Sequence, residues 1–231
     1  MATYNGEKYI KQQLFSIINQ LPNSYDEILI SDNSSSDDTI LRIQEIDDNR
    51  IKIYNSNARN VIFNFENSIS KATGDYIFLA DQDDIWSKDK IKIILPELEE
   101  NLLVFSNFIL FNDDKNIDKE NTLFDKGINQ SGFIKNLIKN RFTGATMAFK
   151  KELLDYAMPF PKSIPMHDIW LGLLAEYYGK VKYIDIPLLY YRKHTNNLSE
   201  TGLKSSKKIT EKLKTRYNLI VCFSKRILQT K

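Results

Sequence analysis

The sequence has one cysteine, Cys222, in 231 residues, and no apolar run approaches the roughly 20 residues that a membrane-crossing helix needs. A single cysteine excludes an internal disulfide and a zinc site made from several cysteines, and it suits a reducing cytosol. The N-terminus also lacks a basic segment that leads into an apolar run, the pattern of a signal peptide. We therefore expect a cytoplasmic protein, either soluble or peripheral on the inner face of the plasma membrane.

The charge is unevenly distributed, although the net charge is only +2. Residues 204–231 contain nine Lys/Arg and one acid, a net charge of +8, whereas residues 1–203 contain 23 bases and 29 acids, a net charge of −6. With 42% hydrophobic residues, the chain can bury one sizeable core. We interpret residues 1–203 as one acidic domain and residues 204–231 as a basic tail.

Helix-like and strand-like periods alternate along the first hundred residues, the pattern of βα units around a mainly parallel sheet. In order, the pattern predicts a helix at 6–20, a strand at 27–30, a helix at 38–47, a strand at 51–54, a helix at 58–72 and a strand at 75–80. Farther along it predicts strands near 102–111, 145–149, 181–186 and 188–191, and a helix at 167–178. Ligands of open α/β sheets bind beyond the carboxyl ends of strands, so the acidic loops after strands 27–30 and 75–80 should face one crevice.

Three carboxylates stand within the four residues Asp81-Gln82-Asp83-Asp84, directly after a predicted buried strand. Like charges this close raise each other's pKa unless a cation compensates them. Mg²⁺ and Mn²⁺ prefer oxygen ligands, usually one or two carboxylates completed by phosphates and water. The segment therefore predicts a metal and diphosphate site, with an acidic N-cap for the following helix as the alternative.

Other candidate residues also lie at strand ends or helix starts. Asp32 offers a short acceptor for a base N–H or a ribose hydroxyl, or it forms an Asx-turn. Asp168, beside His167 at the start of a predicted helix, suits a general base for a hydroxyl, or an ordinary helix cap. Arg192 and His194 follow a strand, where phosphate contact, metal ligation by His194 and a solvated loop are all open.

Five segments, taken in order, resemble the inverting glycosyltransferases of family 2, which have the GT-A fold. They are Ala2-Thr3-Tyr4-Asn5-Gly6, Ile30-Ser31-Asp32, Leu79-Ala80-Asp81-Gln82-Asp83-Asp84, His167-Asp168-Ile169-Trp170 and Tyr191-Arg192-Lys193-His194-Thr195-Asn196-Asn197. The last segment is similar to the rhamnosyltransferase-like branch that builds bacterial surface polysaccharides. The resemblance implies a Rossmann-like nucleotide-sugar-binding half at 1–100, with helices on both faces of its sheet, and an acceptor half at 101–203.

The resemblance also implies roles for the matched residues. The nucleotide-sugar site would comprise Thr3, Tyr4, Asn5, Asp32, Asp81 and Arg192. The ligands of Mn²⁺ or Mg²⁺ would be Asp83, Asp81 and His194. Asp168 matches the catalytic base that deprotonates the acceptor hydroxyl. The region around the acceptor and the donor sugar would comprise Gly144, Ala145, Thr146, His167 and Trp170.

The sequence departs from the family pattern in two places. Relatives usually carry a hydrophobic strand before the Ala-Thr-Tyr-Asn segment, whereas this sequence begins at Met1. We expect that strand to be essentially missing, which would leave backbone groups of the sheet unpaired, and we favour a start codon assigned too late. Asn33-Ser34 stands where many relatives have Asp-Gly, which makes the turn less permissive.

The tail has the composition of a basic amphipathic helix. Its apolar residues recur at near-helical spacing among lysines and arginines, at Ile209, Leu213, Tyr217, Ile220 and Ile227. Such a helix predicts binding to an anionic membrane surface, which suits the lipid-linked acceptors common in the family; packing on the domain is the alternative. We expect no nucleic-acid partner, because no recognised nucleic-acid motif accompanies the charge.

Two other functions compete with sugar transfer. A phosphohydrolase of the haloacid dehalogenase type also places Asp-x-Asp after an apolar strand, although its motif usually lies near the N-terminus. A non-catalytic relative that binds a nucleotide sugar is the second alternative. The donor is open as well: the branch resemblance suggests dTDP-rhamnose, and UDP-linked hexoses or N-acetylhexosamines are alternatives.

Overall fold

The computed structural model describes residues 1–58, 60–112, 117–122, 132–194 and 209–229, with the backbone alone at 117–122 and at Ile209. The strands are β1 Ala2–Thr3, β2 Ile28–Asp32, β3 Ile51–Asn55, β4 Tyr76–Phe78, β5 Ile85–Trp86, β6 Leu103–Phe111, β7 Ile117–Thr122, β8 Met147–Lys150 and β9 Val181–Arg192. The helices are α1 Ile10–Ile18, α2 Thr39–Gln44, α3 Val61–Ile69, α4 Lys90–Glu100, α5 Phe133–Ile138, α6 Leu153–Ala157, α7 His167–Tyr178 and α8 Ile209–Gln229.

The N-terminal part forms a parallel sheet of three strands in the order β1-β2-β3. The strand that the sequence led us to regard as missing is present for two residues, because Ala2 and Thr3 pair with Ser31 and Asp32. This short pairing brings the ends of β1 and β2 side by side. The loops that follow both strands therefore begin at one edge of the sheet.

Helices cover both faces of this sheet, as predicted. Successive side chains of a strand alternate between faces, and β2 separates its partners in that way. Ile28 and Ile30 share a buried cluster with residues of α1 and α2, whereas Ser31 donates a hydrogen bond from Oγ to Asn64 on α3 at 2.6 Å.

The second sheet is mixed, and its main order is β4-β8-β6-β9-β5, with β7 paired to β6. All of its pairings are antiparallel except that of β6 with β9. The α/β class is confirmed, but the parallel arrangement expected to continue through β4 stops before it. Ile77 of β4 lies opposite Phe149 of β8 instead, so the acidic segment after β4 projects between the two halves of the chain.

Two predicted short strands near 181–191 are one continuous strand, β9. The sequence suggested a break because Pro187 has no N–H to donate to a ladder. The structure accommodates this proline with a shift of register where Asn107 of β6 faces Pro187. At its carboxyl end, β9 delivers Arg192 next to the acidic segment.

The C-terminal helix packs on the domain, which is the alternative that the sequence left open, and Ile227 of the predicted apolar residues takes part in this packing. Leu219, Cys222 and Phe223 are buried in the cluster that surrounds α7. The Arg226 guanidinium donates to the carbonyl oxygens of Tyr156, at 2.9 Å, and Met158, at 2.6 Å. No helix in the described ranges combines the length and hydropathy that a membrane span requires.

The contact of α7 with the segment before β8 gives a prediction about stability. A Cβ added at Gly172 in α7 would overlap the ring of Phe142, which is buried in the same cluster. Gly→Ala normally favours a helix interior by about 1 kcal/mol. Here we expect Gly172→Ala to destabilise the fold by about 1–3 kcal/mol, because the ring has to move. Urea unfolding measures the difference, and Gly74→Ala, whose new Cβ would lie 3.8 Å from its nearest neighbour, is the control. Equal stability of the two variants would contradict this packing.

Candidate active site

The first part of the site is a polar pocket at the ends of β1 and β2. Thr3 donates from Oγ1 to the Asp32 carboxylate at 2.9 Å, and both side chains are almost fully buried. The same carboxylate accepts the Ser35 N–H at 2.8 Å and the Ser35 hydroxyl at 2.6 Å. Asp32 therefore binds the loop that follows it, through the N–H three residues on rather than the N–H two residues on that an Asx-turn uses, and its carboxylate is fixed in place.

The loops after β1 and β2 hold each other through backbone-to-side-chain hydrogen bonds. The Asn5 N–H donates to Ser35 Oγ at 2.9 Å, and the Ser36 N–H donates to Asn5 Oδ1 at 2.9 Å. Asn5 and Ser34 both have positive φ, 48° and 58°, which non-glycine residues adopt infrequently. Ser34 thus takes a left-handed backbone conformation that favours glycine, and Tyr4 is 56% exposed.

Gln82 links this pocket to the acidic segment, and sequence reasoning missed it. Its side-chain amide accepts the Tyr4 N–H at 2.9 Å and donates to the Tyr4 carbonyl at 3.0 Å. A Cβ at Gly6 would lie only 2.5 Å from Gln82 Oε1, so a larger residue there would displace the Gln82 amide. The loops after β1 and β4 therefore meet, and the loop after β2 joins them through its hydrogen bonds to Asn5.

The metal ligands that we predicted are not arranged as a preformed site. In the described part of the chain, no three His, Cys, Asp or Glu side chains surround a common point. His194 instead contacts Asp83, Nε2 to Oδ2, at 2.7 Å, and its ring stacks on Tyr9. Asp83 and His194, two of the predicted metal ligands, therefore pair with each other. Thr195, Asn196 and Asn197 of the same motif lie outside the described residues.

Arg192, predicted to contact the nucleotide sugar, lies behind the acidic segment. It donates from Nε to the Asp83 carbonyl at 2.7 Å and from Nη2 to Gln12 at 2.6 Å. Its guanidinium also lies over the rings of Tyr9 and Phe111, 4.4 Å from each centroid. The side chain is 5% exposed and supports the backbone of the segment.

Asp84 is the buried member of the acidic segment. One carboxylate oxygen accepts the Arg192 N–H at 2.9 Å, and the other is buried with no hydrogen-bond partner among the described residues. Burial raises the pKa of Asp84 well above its ordinary value, and the nearby Asp81 and Asp83 raise it further. The ionised form of Asp84 is therefore costly unless positive charge lies nearby.

Asp81 and Asp168 are close enough for their charges to interact. Burial raises the pKa of Asp81 to about 7, with further contributions from the charges of Asp83 and Asp168. Burial likewise raises the pKa of Asp168 to about 7, although the N–H groups of Ile169 and Gly144 oppose the shift. A carboxyl group with a pKa near neutrality at a crevice is suited to accept a proton.

The predicted acceptor region divides into a turn at the crevice and a buried support. Gly144–Thr146 form a 3₁₀ turn, and a Cβ at Gly144 would lie 2.9 Å from His167 Nε2. His167 is buried against the Phe65 ring, with both ring nitrogens unpartnered among the described residues, and burial lowers its pKa to about 3.

Trp170 does not reach the crevice: it is fully buried and donates its Nε1–H to the Ala157 carbonyl at 3.1 Å. Helical periodicity explains this correction, because Trp170 lies on the core face of α7.

A buried lysine, which sequence reasoning also missed, completes the surroundings of the site. Lys90 at the start of α4 is fully buried, donates to the Ala145 carbonyl at 2.6 Å and lies over the Trp86 ring. Burial lowers its pKa to about 7, whereas the charges of Asp84 and Asp81 act in the opposite direction.

Comparison with known families decides the class of protein. Residues 1–156 match the family described as "Glycosyl transferase family 2". The chain belongs to this family. Family 2 glycosyltransferases transfer sugars, so membership removes the phosphohydrolase alternative.

Two relatives align along most of the chain. The dTDP-rhamnosyl transferase RfbG of Shigella flexneri is 32% identical over 216 residues, covering 85% of this chain and 72% of the relative. The UDP-Glc:alpha-D-GlcNAc-diphosphoundecaprenol beta-1,3-glucosyltransferase WfgD of Escherichia coli is 27% identical over 180 residues, covering 76% of this chain and 68% of the relative.

Solved structures show the same fold at low sequence identity. S. aureus TarS 1–349 in complex with UDP-GlcNAc has a TM-score of 0.72 at 16% identity, covering 95% of this chain. The mannosyltransferase PcManGT from Pyrobaculum calidifontis, in complex with GDP-Man and Mn²⁺, has a TM-score of 0.58 at 20% identity, covering 80% of this chain. The chain spans 65% and 53% of these two structures. They confirm the GT-A fold.

The raised pKa of Asp168 gives a prediction about stability and pH. Its ordinary pKa is 3.8 and its folded pKa about 7, so the folded state retains a proton that the unfolded state has lost between these values. Stability therefore falls as the pH rises from about 4 to 7 and stays low above that range. We expect Asp168→Asn to raise the melting temperature at pH 8, by about 2–4 °C per kcal/mol gained, and to have no effect near pH 4. Calorimetric scans at both pH values measure this. A pH-independent difference would contradict the assignment.

Proposed function

We propose that the protein is an inverting glycosyltransferase that moves a sugar from a nucleotide diphosphate to a saccharide acceptor on a lipid carrier, in bacterial surface polysaccharide synthesis. The observation that carries the proposal is the Asp168 carboxyl group, which has a pKa of about 7, lies at the start of α7 and is close enough to Asp81 for the two charges to interact. The relatives support it, since one is named a dTDP-rhamnosyl transferase and the other acts on a diphosphoundecaprenol-linked sugar.

The nucleotide would occupy the pocket between the loops after β1 and β2. Asp32 is held at the edge by Thr3 and Ser35, and Tyr4 and Asn5 form the exposed rim. The S. flexneri relative favours a dTDP-linked donor and the E. coli relative a UDP-linked one. We propose dTDP-rhamnose as the first donor to test and UDP-hexoses as the second.

The acidic segment fits a divalent cation that the donor helps to hold. Asp81 and Asp83 supply hard oxygen atoms. Burial raises the pKa of Asp81, and the charges of Asp83 and Asp168 raise it further, which favours a cation beside it. The missing third ligand agrees with a site that the diphosphate and water complete. Mn²⁺ or Mg²⁺ would neutralise the charge that develops on the leaving diphosphate. In this scheme His194 orients Asp83.

Asp168 would act as the base in a direct displacement. An acceptor hydroxyl placed beside the Gly144–Thr146 turn gives its proton to the Asp168 carboxylate as its oxygen bonds to the anomeric carbon. The bond from that carbon to the nucleotide diphosphate breaks with its electron pair, on the opposite face of the sugar. Because the new bond forms on the face opposite to the bond that breaks, the anomeric configuration is inverted. His167 and Trp170 support the turn and α7 rather than contact the acceptor.

Binding and transfer should separate in two variants. We expect donor binding to require Mn²⁺ or Mg²⁺, to be lost in EDTA and to be lost in Asp83→Asn. Asp168→Asn should bind the donor normally but transfer sugar about 10² times more slowly or worse, because the base is gone. The acid limb of the wild-type rate should rise through about pH 7, since Asp168 has to be ionised. Calorimetry with dTDP- and UDP-sugars, followed by transfer assays, measures both steps.

Asp155→Asn, an exposed acid on α6, is the matched control and should leave both steps unchanged. Full transfer activity in both site variants would contradict the site assignment. Metal-dependent binding without any turnover would instead support the alternative of a non-catalytic relative.

We also propose that α8 binds the anionic inner surface of the plasma membrane. Leu213, Tyr217, Ile220 and Leu228 are 44–75% exposed and form one stripe along the helix. Two exposed lysines, Lys214 and Lys225, border this stripe. Apolar side chains flanked by positive charge suit a bilayer that contains anionic lipids. The opposite face of α8 packs on the domain, so the stripe would hold the domain against the membrane that carries the acceptor.

Vesicle binding tests this role of α8. We expect the protein to sediment with vesicles that contain phosphatidylglycerol, to do so less at high salt, and not to sediment with pure phosphatidylcholine. Changing Leu213, Tyr217 and Ile220 together to serine should reduce binding by about 10-fold or more. The control changes three exposed apolar residues elsewhere to serine: Tyr25, Leu41 and Ile186. Equal sedimentation of the two triple variants would contradict the proposal and indicate that the stripe binds another partner.

A further inference from the structure

Lys90 is a fully buried charged residue on a helix whose neighbouring lysines are exposed. Its side chain has a relative exposure of 0%, whereas Lys88 and Lys92 are exposed. Burial of an ammonium group is costly unless hydrogen bonds and opposite charges compensate it. Such a group persists where its surroundings need the charge, so its contacts identify what it does.

The contacts of Lys90 connect two loops that come from different halves of the chain. On one side its ammonium donates to the Ala145 carbonyl at 2.6 Å, within the Gly144–Thr146 turn. On the other side it lies near Asp81 and Asp84, whose charges stabilise its protonated form. The ring of Trp86 lies 4.2 Å below it and shields it from water. Lys90 is therefore hydrogen-bonded to the turn and lies close enough to the acidic segment for the charges to interact.

The turn held by Lys90 also holds Asp168. The Gly144 backbone lies against Asp168, since a Cβ at Gly144 would be 3.8 Å from the Asp168 Cβ, and its N–H is close enough to stabilise the ionised carboxylate. Gly144 has no room to shift toward α7, because a Cβ there would already lie 2.9 Å from His167. A displacement of the Ala145 carbonyl would therefore move the Gly144 N–H away from Asp168.

We propose that Lys90 is a positioning residue for sugar transfer, which fixes the turn that orients Asp168 and ties that turn to the acidic segment. The proposal rests on the proposed role of Asp168 as the base. Lys90 itself touches neither the donor nor the acceptor in this scheme. Because it supplies positive charge on the inner side of the acidic segment, the outer side stays available for the metal and diphosphate.

A double-mutant cycle between Lys90 and Asp168 tests this role. Methionine has a similar length and fills the same space, but it offers the Ala145 carbonyl neither a charge nor an N–H. We expect Lys90→Met to lower kcat by roughly 10- to 100-fold, because small misplacements of a catalytic group have effects of that size. The affinity for the nucleotide sugar with Mn²⁺ should change by less than about 2-fold. In the Asp168→Asn background, Lys90→Met should reduce the residual rate by no more than about 2-fold, because the group it positions is already inactive.

Two further variants complete the experiment. Lys92→Met, on the exposed side of the same helix, should leave kcat and donor affinity unchanged. Lys90→Gln keeps an N–H donor without the charge and should recover part of kcat. If Lys90→Met does not fold, the cycle is run with Lys90→Gln, for which the same non-additivity is expected.

The possible results distinguish the two proposals. Reductions that multiply in the double mutant would overturn the positioning role, because Lys90 would then act independently of Asp168. Loss of donor affinity in Lys90→Met would overturn it as well, because Lys90 would act on the donor site. Normal transfer by Asp168→Asn alone would instead refute the proposed base, whatever the Lys90 variants show.

Discussion

Mutual repulsion among four carboxylates is the constraint on which the rest of the site depends. Asp81, Asp83, Asp84 and Asp168 lie close enough that the charges of neighbouring members raise the pKa of Asp81 and Asp84. A cluster of this kind persists only if its backbone is held firmly and its charge is partly compensated. Hydrogen bonds from several elements hold the backbone of the cluster. Buried cations on its protein side compensate part of its charge.

The compensating cations lie on the protein side of the cluster. Arg192 donates to the Asp83 carbonyl and to Gln12, and Lys90 donates to the Ala145 carbonyl. Both are buried, so their charge stabilises the segment without covering its outer side. A ligand that reaches this outer side has to bring its own positive charge. This asymmetry explains why a donor that carries both a diphosphate and a divalent cation suits the crevice better than a free nucleotide would.

Local patterns in the sequence were sufficient for the elements but not for their pairing. The helix predicted at 167–178 matches α7, because apolar periodicity and the break at Gly179 are local signals. The antiparallel pairing of β4 with β8 joins Tyr76 to Lys150 across more than half of the second sheet's sequence span, and no short window contains that information. The face by which α8 packs on the domain could not be predicted for a related reason. Leu219, Cys222 and Phe223 were free to pack only because α7 and α5 left an apolar surface for them.

Gln82 and Lys90, the site residues that were missed, have weaker signals in the sequence, but the burial of Lys90 could have been predicted. Gln82 carries no charge, and its bonds to the backbone of Tyr4 depend on two loops meeting, which the sequence does not show. Lys90 is different. It stands four and eight residues before Ile94 and Leu98, both fully buried, so it occupies the apolar face of α4. A lysine in phase with buried residues predicts a buried cation, and the nearby acidic segment at the end of β4 indicates which charges it compensates. Periodicity applied to charged residues, as well as to apolar ones, would have placed Lys90 at the site.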